Sequence, residues 1–246
     1  TSMTAKQHNG FTTITAADAD NTITLSDVGA VTGNSAIETY ELGDDGREFI
    51  FATTADQTAE SGTGTDTFVV GANGAFTATV QNLAASDVLK VAAGATLAAP
   101  ITADYTAAAA GDIDNQAGAA DAVFTVGNDI DFDASAATDT TNGITMTAAG
   151  NAAASVLVGT DQDDVIAGGN GGDTITGGAG DDIITGGGVG ADSLTGGDGN
   201  DTFLYVNEAE LVVGNGLVDA TIAGGTDTDR ISVFAGLTVA HTVSFA

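Results

Sequence analysis

From Gly159 to Leu204 the chain repeats itself every nine residues, and this period decides the architecture before any single residue does. Successive units read GTDQDDVIA, GGNGGDTIT, GGAGDDIIT, GGGVGADSLT and GGDGNDTFL, the fourth carrying one inserted residue near Val189. Asp164, Asp173, Asp182, Asp192 and Asp201 hold the same place in each unit, at spacings of 9, 9, 10 and 9. Two residues beyond each stands an apolar one: Ile166, Ile175, Ile184, Leu194 and Phe203. A flexible Gly/Asp linker would not keep its apolar residues on such strict spacing.

Charge sharpens the reading. The 246 residues include 34 acids and only 4 Lys or Arg, for a formal net charge of −30. Lys6, Arg47, Lys90 and Arg230 are the only such cations, and none lies between Val91 and Asp229. Contact with nucleic-acid phosphates or an anionic membrane surface is therefore excluded. A compact chain with that much unpaired negative charge repels itself unless cations from solution neutralise it. There is no cysteine, so disulfides and thiolate metal sites are ruled out, and no stretch is long enough to span a membrane.

The units resemble the nonapeptide repeats of RTX proteins, G-G-x-G-x-D-x-U-x with U a large apolar residue, and three of the five fit at every position. The resemblance implies a parallel β-roll loaded with several calcium ions, in which two units make one coil. Asp164, Asp182 and Asp201 would then line one row of ions, and Asp173 and Asp192 the other. Glycines Gly168, Gly169, Gly171, Gly177, Gly178, Gly180, Gly186, Gly187, Gly196, Gly197 and Gly199 would form the turns and offer carbonyl oxygens. Carboxylate and carbonyl oxygens are the donors that Ca²⁺ prefers. Each ion would join neighbouring coils, giving on the order of three shared ions plus half-sites at the ends. Gln162 and Thr160 depart from the glycines of the pattern in the first unit.

A looser form of the signal runs through the rest. SGTGTDTFV at 61–69 is an isolated unit, which adds Asp66 to the candidate ligands. Eighteen residues earlier, GDDGREFIF places Glu48 and Ile50 where Asp66 and Phe68 stand. Acid- or Asn-led alternating stretches recur at NTITL (21–25), DVLKV (87–91), DIDFD (129–133) and DRISV (229–233), which is strand patterning. Ala107–Ala110 and Ala152–Ala154 could form helical turns, but their Gly, Asp and Thr neighbours argue against long helices. The expected organisation is all-β: a β-rich region over 1–155, a calcium β-roll over 156–205, and capping strands over 206–246. The first region is either a degenerate solenoid continuous with the roll or a small sandwich. The ending VAHTVSFA is compatible both with an uncleaved type I secretion signal and with an ordinary last strand.

No catalytic constellation emerges. Asp129, Asp131 and Asp133 mimic the start of an EF-hand loop, but Ala134 and Thr140 stand where Gly and Glu are needed. There is no Walker lysine, no HExxH and no G-x-S-x-G. The expectation is a non-enzymatic, secreted, calcium-binding structural protein that self-associates into a surface layer, filament or adhesin stalk. A cell-surface polysaccharide is a further candidate partner. The alternatives are the carboxyl-terminal folding and secretion module of an exported hydrolase, and a carbohydrate- or ice-binding adhesin domain.

Overall fold

The computed structural model describes residues 2–3, 22–25, 30–32, 39–41, 48–51, 56–62, 64–72, 77–118, 122–138, 140–148, 150–188, 190–206 and 221–233. Every regular element among them is a β-strand, and all the strand pairs are parallel. One face is a twelve-stranded sheet that runs from Ser2–Met3 through Gln57–Glu60, Leu97–Ile101, Val165–Ala167 and Thr202–Tyr205 to Arg230–Val233. Between its strands the chain visits one of two further sheets, of five and six strands. Parallel neighbours need a crossover connection. Here the crossover is a strand of another sheet, so the chain winds as a β-solenoid.

Coil length varies along it. Val165 pairs with Ile183 and Ile183 with Thr202, steps of 18 and 19, whereas Ala98 pairs with Val123, a step of 25. In the regular coils each strand sends one side chain inward. Leu157, Ile166, Ile175, Ile184, Leu194 and Phe203 are at most 1% exposed. Each such burial stabilises by roughly 1.5–3 kcal/mol. In the longer coils aromatic residues pack on one another: Tyr105 stacks on Phe132 at 4.9 Å, and Phe124 lies 5.0 Å from Phe132.

One coil hands one sheet over to the next. After Leu97–Ile101 the chain founds the six-stranded sheet with Tyr105–Thr106, then closes the five-stranded sheet with Ile113–Asn115. Asn115 is fully buried at that closing edge. Its Nδ2 donates to the carbonyl oxygens of Gly143 (2.5 Å) and Gly118 (3.2 Å), and its N–H donates to Thr140 Oγ1 (3.0 Å). The side chain thus supplies bonds that a next strand would have made.

Of the two architectures open for the first region, the solenoid is the one adopted. The twelve-stranded sheet passes without a break across 155/156 and across 205/206. Those divisions mark changes of loop chemistry, not of fold. The register of GDDGREFIF differs from expectation by one residue: Phe49, not Ile50, stands beside Phe68, and Glu48 beside Thr67. A coil of nineteen residues restores Phe49 to the core, where it is fully buried. The Ala-rich patches at 107–110 and 152–154 form no helix. Asp129 is exposed at a φ of 62°, while Asp131 Oδ1 accepts the N–H of Val156 at 2.7 Å, so this stretch is a coil link and not an EF-hand. Among the described residues no helix is long and apolar enough to cross a membrane. The ending at 239–246 and the inserted Val189 lie outside the described residues.

Candidate metal centre

Each repeat loop delivers its aspartate directly before a strand, and the strand's pairing brings that carboxylate against the coil before it. Asp164, Asp182 and Asp201 precede strands of the twelve-stranded sheet. Asp173 and Asp192 precede strands of the six-stranded sheet. All five are at most 1% exposed. These are the two rows that the resemblance to RTX repeats implies.

Within a row the carboxylates form a ladder. Oδ1 of Asp201 accepts the N–H of Asp182 at 3.0 Å, and Oδ1 of Asp182 that of Asp164 at 2.7 Å. In the second row Oδ1 of Asp192 accepts the N–H of Asp173, and Oδ1 of Asp173 that of Ser155, at 2.7 and 2.8 Å. Asp164 ends the first row on the N–H of Ile144 at 2.6 Å. One oxygen of each carboxylate is thereby fixed.

The second oxygens differ. Asp164 Oδ2 accepts the N–H and hydroxyl of Thr160, at 2.6 and 3.1 Å. Asp173 Oδ2 accepts the N–H of Gly169 at 2.7 Å. Asp182 Oδ2 and Asp201 Oδ2 are buried and have no hydrogen-bond partner. A buried, unpaired carboxylate oxygen costs several kcal/mol unless it is protonated or meets a cation. Accordingly burial pushes Asp182 up to about 8 and Asp164 up to about 7, and burial also raises Asp201.

The glycines leave room at those oxygens. A Cβ on Gly177 would collide with Asp182 Oδ2 and lie 2.8 Å from the carbonyl oxygen of Gly196 in the next coil. Gly159, Gly168, Gly186 and Gly196 stand in the same relation to the aspartates of their own loops, and Gly159 and Gly168 also to the carbonyls of Gly177 and Gly186. Gly178 and Gly197 turn the chain at φ of 129° and 132°, which L side chains rarely adopt. Gly187, Gly180 and Gly199 also take positive φ, while Gly169 and Gly171 press against backbone of the preceding coil at Asn151 and Ala153.

Among the described residues no three His, Cys, Asp or Glu side chains converge on one point. The donors on offer are therefore carboxylates from adjacent coils together with backbone carbonyls, all hard oxygens. That set suits Ca²⁺, which takes several such oxygens in flexible geometry, and does not suit the nitrogen and sulfur preference of zinc. The orphaned oxygens and the empty Cβ positions beside them fit such an ion.

An outer ladder escaped the sequence reading. Asp163 Oδ1 accepts the N–H of Asp181, and Asp181 Oδ1 the N–H of Asn200, both at 2.7 Å. The backbone N–H and side-chain amide of Asn200, both donating to Asp181 Oδ1, hold Asp181 below the usual carboxylate range. The second row has Gly172 and Ala191 at the equivalent positions, so its loops lack this brace. The signal was present in the sequence as the residue preceding each repeat aspartate.

Asp66 sits in a different environment. It is fully buried, and Asp87 Oδ1 accepts its N–H at 2.9 Å, the same ladder step as in the roll. But Ser61 replaces the first glycine of the loop. Its hydroxyl lies 3.0 Å from Asp66 Oδ2 and 2.7 Å from Asp87 Oδ2. Backbone N–H groups of Gly62 and Ala84 complete the two carboxylates at 3.1 and 2.8 Å. Burial, with Asp66 alongside, raises the Asp87 carboxyl above the usual carboxylate range. Asp112 is likewise capped by the N–H groups of Ala108 and Ala109 at 2.6 and 2.7 Å. Asp87 was legible only as the leader of a strand, and nothing in the sequence pattern marked Asp112.

With the geometry in place, comparison with known proteins agrees on the repeats. Residues 158–188 and 187–204 match the family model of the RTX calcium-binding nonapeptide repeat (4 copies). Over this segment the chain is an RTX repeat array, and the repeats imply calcium binding. Neither curated proteins nor solved structures yield a match.

Proposed function

We propose that this chain is a secreted structural protein whose roll takes up calcium in two rows and whose self-association follows from that uptake. The observation that carries the calcium reading is the buried, partnerless Oδ2 of Asp182 beside the Gly196 carbonyl. Asp164, Asp182 and Asp201 would hold the ions of one row, Asp173 and Asp192 those of the other, with carbonyls of the first-position glycines. The ion would supply the positive charge that the buried carboxylates lack, and their oxygens with the glycine carbonyls would coordinate it. Asp66, tied to Ser61 and Gly62, is left out of these rows.

Assembly is supported by charge and by sheet ends. Among the described residues, the last strands Thr221–Gly225 and Arg230–Val233 each pair on one side only. Parallel strands with a free side are templates for another chain. With a net charge of −30, two copies meet favourably only when cations reduce or bridge it. Light scattering and negative-stain microscopy across a calcium series test this, with a NaCl control of matched ionic strength. Ordered oligomers, sheets or filaments in calcium alone are expected. A chain that folds with calcium and stays monomeric at high concentration would contradict assembly and move the reading to a folding and secretion module of an exported enzyme.

A further inference from the structure

Beyond the matched repeats, residues 221–233 form part of the solenoid. Strands Thr221–Gly225 and Arg230–Val233 pair in parallel with Ser193–Asp198 and Thr202–Tyr205. Between them lies Gly224-Gly225-Thr226-Asp227-Thr228-Asp229, which the family match, ending at residue 204, does not include. The step is long, Asp201 to Asp229 being 28 residues, so the period breaks in the sequence although the register continues in space.

The loop has the geometry of its predecessors. Asp229 Oδ1 accepts the N–H of Asp201 at 3.0 Å, the next rung of the first row. The N–H of Arg230 donates to the Asp201 carbonyl at 2.9 Å, and that of Thr226 to the Gly197 carbonyl at 2.8 Å. Gly225 turns at a φ of 116°, as Gly197 does at 132°. Asp227 stands where Gly199 stands in the preceding unit, and it takes the left-handed region at a φ of 68°, which Asp tolerates better than most side chains. That one residue spoils the sequence pattern without spoiling the turn.

What the loop lacks is a partner for the charge it encloses. Asp201 is fully buried and its Oδ2 has no hydrogen-bond partner. A Cβ on Gly196 would strike that oxygen and lie 2.6 Å from the Gly224 carbonyl oxygen, so the two converge on one space. A Cβ on Gly224 would likewise strike Asp229 Oδ2. We propose that Asp201, the Gly224 carbonyl and Asp229 hold a further divalent cation of the calcium class, which clasps the 221–233 coil to the roll across the 28-residue step. This rests on the reading that the 158–204 array binds calcium.

Equilibrium dialysis of the full chain against Ca²⁺ counts the ions, and hydrogen exchange by mass spectrometry follows the strands. Asp229→Asn keeps an acceptor for the Asp201 N–H and removes the charge. It is expected to bind one ion fewer and to lose protection at least tenfold at 221–233, with 165–198 still protected. Gly196→Ala, which puts a methyl on Asp201 Oδ2 and 2.6 Å from the Gly224 carbonyl oxygen, is expected to bind one ion fewer as well. Wild-type ion number and protection in both variants would overturn the clasp and leave the array's calcium reading intact. No bound calcium in the wild-type chain would overturn both.

Discussion

Two loops of one solenoid solve the same electrostatic problem in opposite ways. At 61–66 and in the repeat at 177–182, an aspartate is buried before a strand and its N–H is capped by the aspartate of the next coil, Asp87 or Asp201. At the first loop Ser61 reaches both carboxylates, and the charge is met by a hydroxyl and two backbone N–H groups. At the second a glycine stands in the serine's place and Asp182 Oδ2 meets nothing. The difference teaches that the ladder alone does not make a metal site. At these two loops the first-position residue separates a site closed by protein from one left open for an ion.

The largest effect that separates the regions is expected from filling the roll's empty position. Gly177→Ala puts a methyl onto Asp182 Oδ2 and should destabilise the calcium-loaded roll by about 3 kcal/mol and lower the ion count. Ser61→Ala, the corresponding insult to the other region, should cost about 1–2 kcal/mol and leave the ion count unchanged. Calcium dialysis and denaturant titration of both variants check this pair. An equal loss of ions would erase the distinction.

Next in size is a change of sign. Asp182→Asn keeps the acceptor for the Asp164 N–H and places an amide beside the Gly196 carbonyl. In chelator it should make the roll more stable than wild type, by on the order of 1–3 kcal/mol, because a buried carboxyl that must either stay charged or hold a proton far above its ordinary range is gone. In saturating calcium it should be the less stable of the two. Denaturant midpoints in the two media should therefore cross.

The same carboxylates set a pH dependence for the metal-free chain. Their folded-state values, about 7 for Asp164 and about 8 for Asp182, lie above the ordinary 3.8, so the folded roll binds protons more tightly than the unfolded chain. That contribution is complete below about pH 4 and is lost as pH rises through 7 and 8. Circular dichroism in chelator should show β signal falling from pH 5 to pH 9, while apparent calcium affinity rises over the same window. A metal-free roll that gains order with rising pH would contradict the burial of these groups.

The smallest effect is expected from converting one region toward the other. Ser61→Gly opens the position between Asp66 and Asp87. It should cost about 1 kcal/mol in chelator, part of which calcium restores. No calcium response in this variant would mean that more than the first residue distinguishes the loops.

The roll was legible because its period is strict: the spacing marks Asp164, Asp173, Asp182, Asp192 and Asp201 as equivalent and Ile166 to Phe203 as the core, and the resemblance to RTX repeats, with two units to a coil, sorts the aspartates into two rows. The first region was legible only as strands. Its coils change length, so Phe49 pairs with Phe68 at nineteen residues, and no fixed period reveals the winding. The handover from the five- to the six-stranded sheet was invisible, since it depends on Asn115 meeting Thr140 and Gly143, residues 25 and 28 positions away. Asp87 was readable as a strand leader, but its partnership with Asp66 through Ser61 arises only when coils stack. Loops of irregular length scramble sequence distance, and polar contacts between coils leave no local signature.

Region-resolved hydrogen exchange of the full chain, in millimolar calcium and in chelator near pH 7.5, tests the central claim most directly. The account predicts that strands Val165–Ala167, Thr174–Ala179 and Ser193–Asp198 lose protection at least a hundredfold in chelator. Strands Gln57–Glu60, Thr67–Val70 and Val88–Val91 should stay within a few-fold of their calcium values. Equal loss in both regions, or loss in neither, would contradict it.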